Sequence, residues 1–379
     1  MEDIKLLLDR FLDFKNNGQN KYFDSDDIIS LIEYFTEIDD VENLKIVITL
    51  GYELHPDNPE FILQVCRTLV YTGDYETALK LLENVDSEDD YEPDLLYIEC
   101  LCELGMKEEA LNFIDELAEE ESPHLQEAIE HLARVLNDID EYMHFAYGFI
   151  LEYLQIYPDS ELLNIELCYN LELQGKIKEA MTKCEELLQS NLHSAELWFV
   201  KGRLCTTCCE YGNAVEALDY ALSFAEIEEL KYEALLMKAD CLQKNENYYS
   251  AINVYEELMT MKISDTHKIV SRLSECLILV EDFERAYQVL KDNLKSIDFE
   301  HSVTNMGNFI FSCVMTDRRN EAAEAICDAI LSLPRDMMIE NLTPIIALQS
   351  DINNIEQDEE EDDRQELVRS FINSNLHVN

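Results

Sequence analysis

The chain has 379 residues, with 81 acidic against 28 basic side chains and a formal net charge of −53. So negative a surface repels a phosphate backbone, which sets aside direct nucleic-acid binding, while a basic partner would be drawn to it. An apolar content of 47% is that of a folded protein rather than a disordered acidic tract, and nine Gly and seven Pro suit helices joined by short turns.

At the amino end, Met1-Glu2-Asp3-Ile4-Lys5 has neither the basic start nor the apolar stretch of a secretory leader. No apolar run reaches the ~18 residues that a membrane helix needs. The expected setting is cytoplasmic, with no membrane partner, and the twelve cysteines are expected to be reduced thiols. Ile4, Leu7, Leu8, Phe11 and Phe14 recur at helical spacing, which predicts a capping helix within residues 1–24.

From there a small residue returns with a regular beat. Leu44 opens the series, followed by Ala78, Ala110, Ala146, Ala180, Ala214, Ala251, Ala286 and Ala322 at intervals of 34, 32, 36, 34, 34, 37, 35 and 36 residues. Such a recurrence means that two backbones pass close together once per repeat. Four positions after each stands an apolar residue: Ile48, Leu82, Ile114, Ile150, Cys184, Leu218, Tyr255, Leu290 and Ile326. That spacing puts both on one face of a helix.

Nine residues before the alanine an apolar residue anchors an earlier helix: Leu69, Leu101, Leu171, Cys205, Leu242, Leu277 and Cys313, with Phe35 in the first repeat. Five before it lies the turn between the two helices: Asp39, Gly73, Gly105, Glu141, Gly175, Cys209, Glu246, Glu281 and Asp317. Glycine suits that place because it accepts the positive φ that ends many helices. Twelve residues after it Pro56, Pro158 and Pro334 close three repeats.

The pattern resembles the tetratricopeptide repeat, W-x2-L-G-x2-Y, then A-x3-F, then P over 34 residues. In the repeat from Ala195, Trp198 takes the tryptophan place, Gly202 the glycine, Cys205 the tyrosine, Ala214 the alanine and Leu218 the phenylalanine. The repeat from Val303 carries Phe309, Ala322, Ile326, Ala329 and Pro334; that from Pro59 carries Val65, Leu69, Gly73, Tyr75, Ala78 and Leu82. The resemblance covers residues 25–336, with repeats starting near 25, 59, 91, 127, 161, 195, 232, 267 and 303. It implies an all-α fold, an α-α superhelix or solenoid of about nine helix-turn-helix repeats. One repeat departs from the pattern. In the one from Glu127, Asn137 stands where an apolar anchor belongs, so either a longer turn around 137–141 absorbs the shift or the stacking is irregular there.

After the array, residues 337–350 are expected to form a capping helix, although Pro344 interrupts them. Residues 351–363 hold eight acids and no base, the composition of a solvated linker. Residues 364–379 carry Leu367, Val368, Phe371, Ile372 and Leu376 at helical spacing, a short amphipathic segment.

No constellation for catalysis stands out, so the chain is not expected to be an enzyme. Cys205, Cys208 and Cys209 form the one dense cysteine group, without a second pair of ligands or the strand–helix setting of a redox motif. The histidines show no H-E-x-x-H or comparable spacing, and there is no glycine-rich phosphate cradle. Neither metal nor cofactor is expected.

The resemblance implies that first helices line a concave wall, and places the fifth and ninth residues of each toward it. From these positions the expected protein-binding groove comprises Ile29, Leu63, Arg67, Leu95, Ile165, Tyr169, Phe199, Arg203 and Leu236. An apolar seam bordered by carboxylates suits a protein or peptide with basic and apolar residues; equally, the fifth-position residues serve to pack neighbouring helices. Some members of the family clamp a chaperone's terminal carboxylate with basic groove residues. Here Glu33, Glu99 and Asp240 stand at ninth positions, which disfavours such a clamp. The expected function is a non-catalytic protein-binding scaffold. The alternative is an autoregulated adaptor whose segment 364–379 occupies the groove.

Overall fold

The structure, a computed structural model, describes residues 2–17, 22–38, 40–56, 58–83, 85, 91–261, 266–293, 303–322 and 324–325. Among these residues every regular element is helical. The first part of the chain holds α1 (Glu2–Asn17), α2 (Ser25–Glu37), α3 (Val41–Leu54), α4 (Pro59–Tyr71), α5 (Tyr75–Leu82), α6 (Glu92–Glu103), α7 (Lys107–Glu119), α8 (Leu125–Asp138), α9 (Met143–Tyr153) and α10 (Glu161–Leu173). Then come α11 (Ile177–Ser190), α12 (Ala195–Thr207), α13 (Tyr211–Phe224), α14 (Glu228–Lys244), α15 (Tyr248–Thr260), α16 (His267–Leu279), α17 (Phe283–Asn293) and α18 (Val303–Met315). The architecture is an all-α solenoid of helix pairs. Ile326, Ala329, Pro334 and the three segments from 337 to 379 lie outside the described residues.

The alanine beat has a direct physical cause. All eight alanines of the series are completely buried, as are Ile150, Cys184, Leu218, Tyr255 and Leu290 four residues further on. In the repeat with the fullest motif, Gly202 of α12 lies against α13. A Cβ on it would stand 2.7 Å from Leu218 Cγ and 3.6 Å from the Ala214 carbonyl oxygen. Only small residues allow that approach.

The turn within seven of the pairs is equally regular. Gly73, Gly105, Gly175, Cys209, Glu246, Glu281 and Asp317 all have φ between 58° and 78°. The amide after each donates back to the first helix: Asp74 to Leu69 O at 2.8 Å, Glu210 to Cys205 O at 2.9 Å, Asp282 to Leu277 O at 2.9 Å and Arg318 to Cys313 O at 2.7 Å. Met106, Lys176 and Asn247 do the same to Leu101, Leu171 and Leu242. This is the six-to-one bond of a Schellman ending, which satisfies a carbonyl that the helix leaves without an internal partner. The periodic anchor and the periodic turn residue are thus two ends of one motif. Four of the seven turns hold the left-handed geometry without glycine.

The repeat with the misplaced Asn137 is built differently. A single 3-10 turn at Asp140–Tyr142 leads into α9, and Glu141 lies inside that turn instead of in the left-handed conformation. Asn137 is nevertheless buried, and α8 packs on α6, α7, α9 and α10, so the order of stacking continues through it. The longer turn absorbs the shift.

The chain divides into two compact parts, Met1–Lys183 and Cys184–Asn379, with the boundary inside α11. In the first part, α2 packs on α4, α4 on α6, α6 on α8 and α8 on α10, so the first helices of successive pairs form one layer. The second helices α5, α7 and α9 each pack on the first helix of the next pair. At its amino end Phe11 of α1 is buried against Phe35 of α2, ring centroids 5.2 Å apart. In the second part α12 packs on α14 and α16 on α18, with α13, α15 and α17 between them in sequence and in space.

Candidate binding face of the first helices

The nine expected groove residues fall on six first helices. In the first part, Ile29 lies on α2, Leu63 and Arg67 on α4, Leu95 on α6, and Ile165 and Tyr169 on α10; in the second, Phe199 and Arg203 lie on α12 and Leu236 on α14. Ile29, Leu95, Ile165, Tyr169, Phe199, Arg203 and Leu236 are half-buried, Leu63 is buried, and Arg67 is exposed. Because α4 touches α6, Leu63, Arg67 and Leu95 share one stretch of the layer; α8 separates these from Ile165 and Tyr169. Leu63 and Leu236 serve packing, the latter against the core of α14–α18.

Arg67 is already engaged. Its guanidinium grips both carboxylate oxygens of Glu92 on α6, and its Nη1 donates to Gln64 Oε1 at 2.8 Å. A ligand at this place meets a tethered cation whose charge is partly neutralised.

Between α6 and α8 the layer holds a titratable cluster. His131 is buried, and the Arg134 Nη2 lies 3.0 Å from its Nδ1. A guanidinium only donates, so Nδ1 accepts and the ring proton sits on Nε2. That nitrogen faces Glu99 Oε2 at 3.7 Å, a distance that would favour an imidazolium. Burial and the Arg134 charge win: the pKa of His131 is lowered to about 4, against the weaker upward pull of the Leu95 carbonyl. Burial also raises the carboxyl of Glu99, with Arg134 opposing. His131 and Glu99 stand at the fifth and ninth positions of their first helices, whereas repeat spacing gives no sign of Arg134, one helical turn beyond His131, as the group that fixes the tautomer.

A second network lies among α14, α15 and α16. Tyr255, fully buried in the phenylalanine slot of its repeat, donates to Asp240 Oδ1 at 2.6 Å, with Gln243 Oε1 at 3.0 Å. Gln243 donates in turn to Glu275 Oε2 at 3.1 Å, which Arg272 also approaches at 3.4 Å. Burial and the Asp240 carboxylate push the phenol's pKa upward. Two ninth-position carboxylates, Asp240 and Glu275, are therefore held by the protein itself.

Nine of the eleven described cysteines are buried packing residues. Cys205 is buried and Cys208 and Cys209 are exposed at the end of α12. Burial raises the thiols of Cys100, Cys102, Cys276 and Cys313 to about 12 and that of Cys66 to about 11, which keeps them protonated and unreactive. Among the described residues no group of three or more His, Cys, Asp or Glu is arranged to hold a metal ion, and no helix is long and apolar enough to cross a membrane.

First helices closed in seven described pairs by a Schellman turn onto a second helix with a buried alanine define an α-solenoid repeat protein. A family profile described as tetratricopeptide repeat matches residues 69–132, so that stretch of the chain carries this repeat, which generally serves as a scaffold for protein interaction. Solved structures similar to it include YrrB, a tetratricopeptide repeat protein with an unusual peptide-binding site: 15% identity over 50% of this chain and 94% of that one, with a TM-score of 0.43. A tetratricopeptide repeat protein from Parabacteroides merdae shares 14% identity over 72% of this chain and 98% of its own, with a TM-score of 0.43. A thermophilic one from Thermus thermophilus shares 16% identity over 48% and 98%, with a TM-score of 0.35. Comparison with curated protein sequences gave no match.

Proposed function

We propose that the chain is a non-catalytic scaffold of the cytoplasm whose first-helix layer binds a protein segment carrying basic and apolar residues. The observation that supports it most is the α4–α6 stretch of the layer. There half-buried Leu95 and the edge of buried Leu63 lie beside the Arg67–Glu92 pair, with Glu60 exposed nearby on α4. Apolar side chains held at the surface by packed helices, and carboxylates next to them, offer complementary contacts to an alternating apolar and basic peptide. The net charge of −53 adds long-range attraction for such a segment. A terminal carboxylate would instead meet like charge, at Glu99 in the first part and at Asp240 in the second.

A peptide array varying Lys/Arg and Leu/Ile content, probed with the full chain, tests the reading. Arg67→Glu combined with Phe199→Ala and Arg203→Glu is expected to change which peptides are retained while circular dichroism keeps the wild-type helix signal. An unaltered pattern of retained peptides counts against the first-helix layer.

A further inference from the structure

Away from the first-helix layer, the second helices α7 and α9 both pack on α8 and leave an open groove of about 550 Å³ between them. Its base is aromatic: Phe149 is buried, with Tyr153 at 4.7 Å and Phe145 at 6.5 Å between ring centroids, and Leu111 lies opposite on α7. Lys107 of α7 holds its ammonium 4.2 Å from the Phe145 ring. The sides are acidic. Asp115 and Glu152 line the groove from the two helices, and Glu108, Glu116 and Glu119 stand exposed along α7. Burial and these two lining carboxylates raise the Tyr153 phenol, as a negative local field requires.

Gly148 adds a separate observation. It lies in the interior of α9, where glycine is the poorest helix former after proline. It is exposed on the groove, and a Cβ built there meets nothing within 4 Å. Among the described residues no neighbour demands a glycine at that point, and the open space leaves room for a ligand backbone to come close to α9.

We propose that the α7–α9 groove is a second docking site, whose occupant is a basic amphipathic helix of a partner protein. Its apolar face, at helical spacing, enters over Phe145, Gly148 and Phe149, and its Lys or Arg residues meet Asp115 and Glu152. Charge selects this occupant. A second copy of the chain, at −53, would bring like charge to an acidic rim, whereas a basic helix is complementary to both sides. The eleven residues of α9 give a bed of about 16 Å, room for about three turns of such a helix. The site is independent of the first-helix layer and stands or falls separately from it.

The test uses the full chain and a fluorescein-labelled peptide with leucines on one helical face and lysines on the other, beside a scrambled peptide of the same composition. Fluorescence anisotropy at ~0.15 M salt removes most non-specific attraction. The patterned peptide is expected to bind at least about tenfold more tightly than the scrambled one, a difference of ~1.4 kcal/mol. Gly148→Leu fills the groove at a position with open space and is expected to abolish that advantage with helicity retained, whereas Arg67→Glu leaves it unchanged. Should Gly148→Leu lose helicity, the exposed-site pair Asp115→Lys and Glu152→Lys decides, with the same loss expected. Equal affinity for the two peptides, or full binding in the folded groove variants, overturns the proposal. So does displacement of the labelled peptide by a synthetic peptide of residues 364–379, which would make the chain's own tail the occupant. Self-association that disappears in Gly148→Leu would assign the groove to a second copy and equally overturn it.

Discussion

Asn170 donates its side-chain amide to Asn137 Oδ1 at 2.7 Å, a hydrogen bond between α10 and α8 inside the first-helix layer. The same amide donates to the Met143 carbonyl at 2.8 Å, which opens α9, and Asn170 Oδ1 accepts from Gln174. Asn137 spends its two protons on the Glu166 carbonyl and carboxylate, at 3.0 and 2.8 Å. The repeat whose described turn is not a Schellman ending is thus tied by a polar pair whose members are almost wholly buried, and whose amide groups are all satisfied.

Removing one member leaves the other unsatisfied in a low-dielectric place. Asn170→Leu is expected to destabilise the chain by about 2–4 kcal/mol, more than a solvent-facing asparagine would. Urea denaturation followed by circular dichroism measures it; a loss under about 0.5 kcal/mol would mean the pair contributes nothing beyond its volume.

The left-handed turns supply a prediction of opposite sign. Glu281 (φ 62°) and Asp317 (φ 59°) hold a conformation that Gly73 (φ 78°) holds without steric cost. Glu281→Gly should stabilise by about 1 kcal/mol, and Gly73→Val should destabilise by at least as much. Thermal midpoints in opposite directions support the motif; a fall for Glu281→Gly would show that its side chain matters more than its backbone.

His131 predicts a pH effect with a defined sign. The native ring stays neutral down to about 4, whereas an unfolded chain takes up the proton near the ordinary histidine value of 6.5. Between those values the unfolded state binds more protons, so this group's contribution to stability falls as pH drops, by up to about 3 kcal/mol. Glu99, with its raised carboxyl, and Asp138, also raised by burial, act in the opposite direction. The quantity to measure is therefore the stability difference between wild type and His131→Gln across that window. A difference that stays constant with pH would contradict a buried neutral histidine.

Tyr255 reaches from the second-helix core to a first-helix carboxylate. Tyr255→Phe keeps the ring and removes the 2.6 Å bond to Asp240, with an expected cost of about 1.5–3 kcal/mol for a bond to a charged acceptor. An unchanged urea midpoint would show that water replaces the phenol at Asp240.

Much of this architecture could be read from residue types alone. The buried alanines and the anchor and turn slots follow from backbone approach and helix ending, which act locally and leave a periodic trace. Asn137 announced itself as a misfit, but its answer, Asn170, lies on the next first helix, and single-repeat patterns do not show pairs across repeats. Arg67 was legible as a groove cation, while its capture by Glu92 was not, because that contact depends on the packing of α4 against α6. The α7–α9 groove left still less trace. Phe145 and Gly148 occupy no slot of the motif, and the space between two second helices is set by α8 behind them.

The central claim, recognition by the first-helix layer, is tested most directly by hydrogen–deuterium exchange of the full chain with and without an array-selected basic and apolar peptide. The account predicts added protection in α4, α6 and α10 of the first part, centred on the turns around Leu63, Leu95 and Ile165. Protection confined to second helices, or none at saturating peptide, would contradict it.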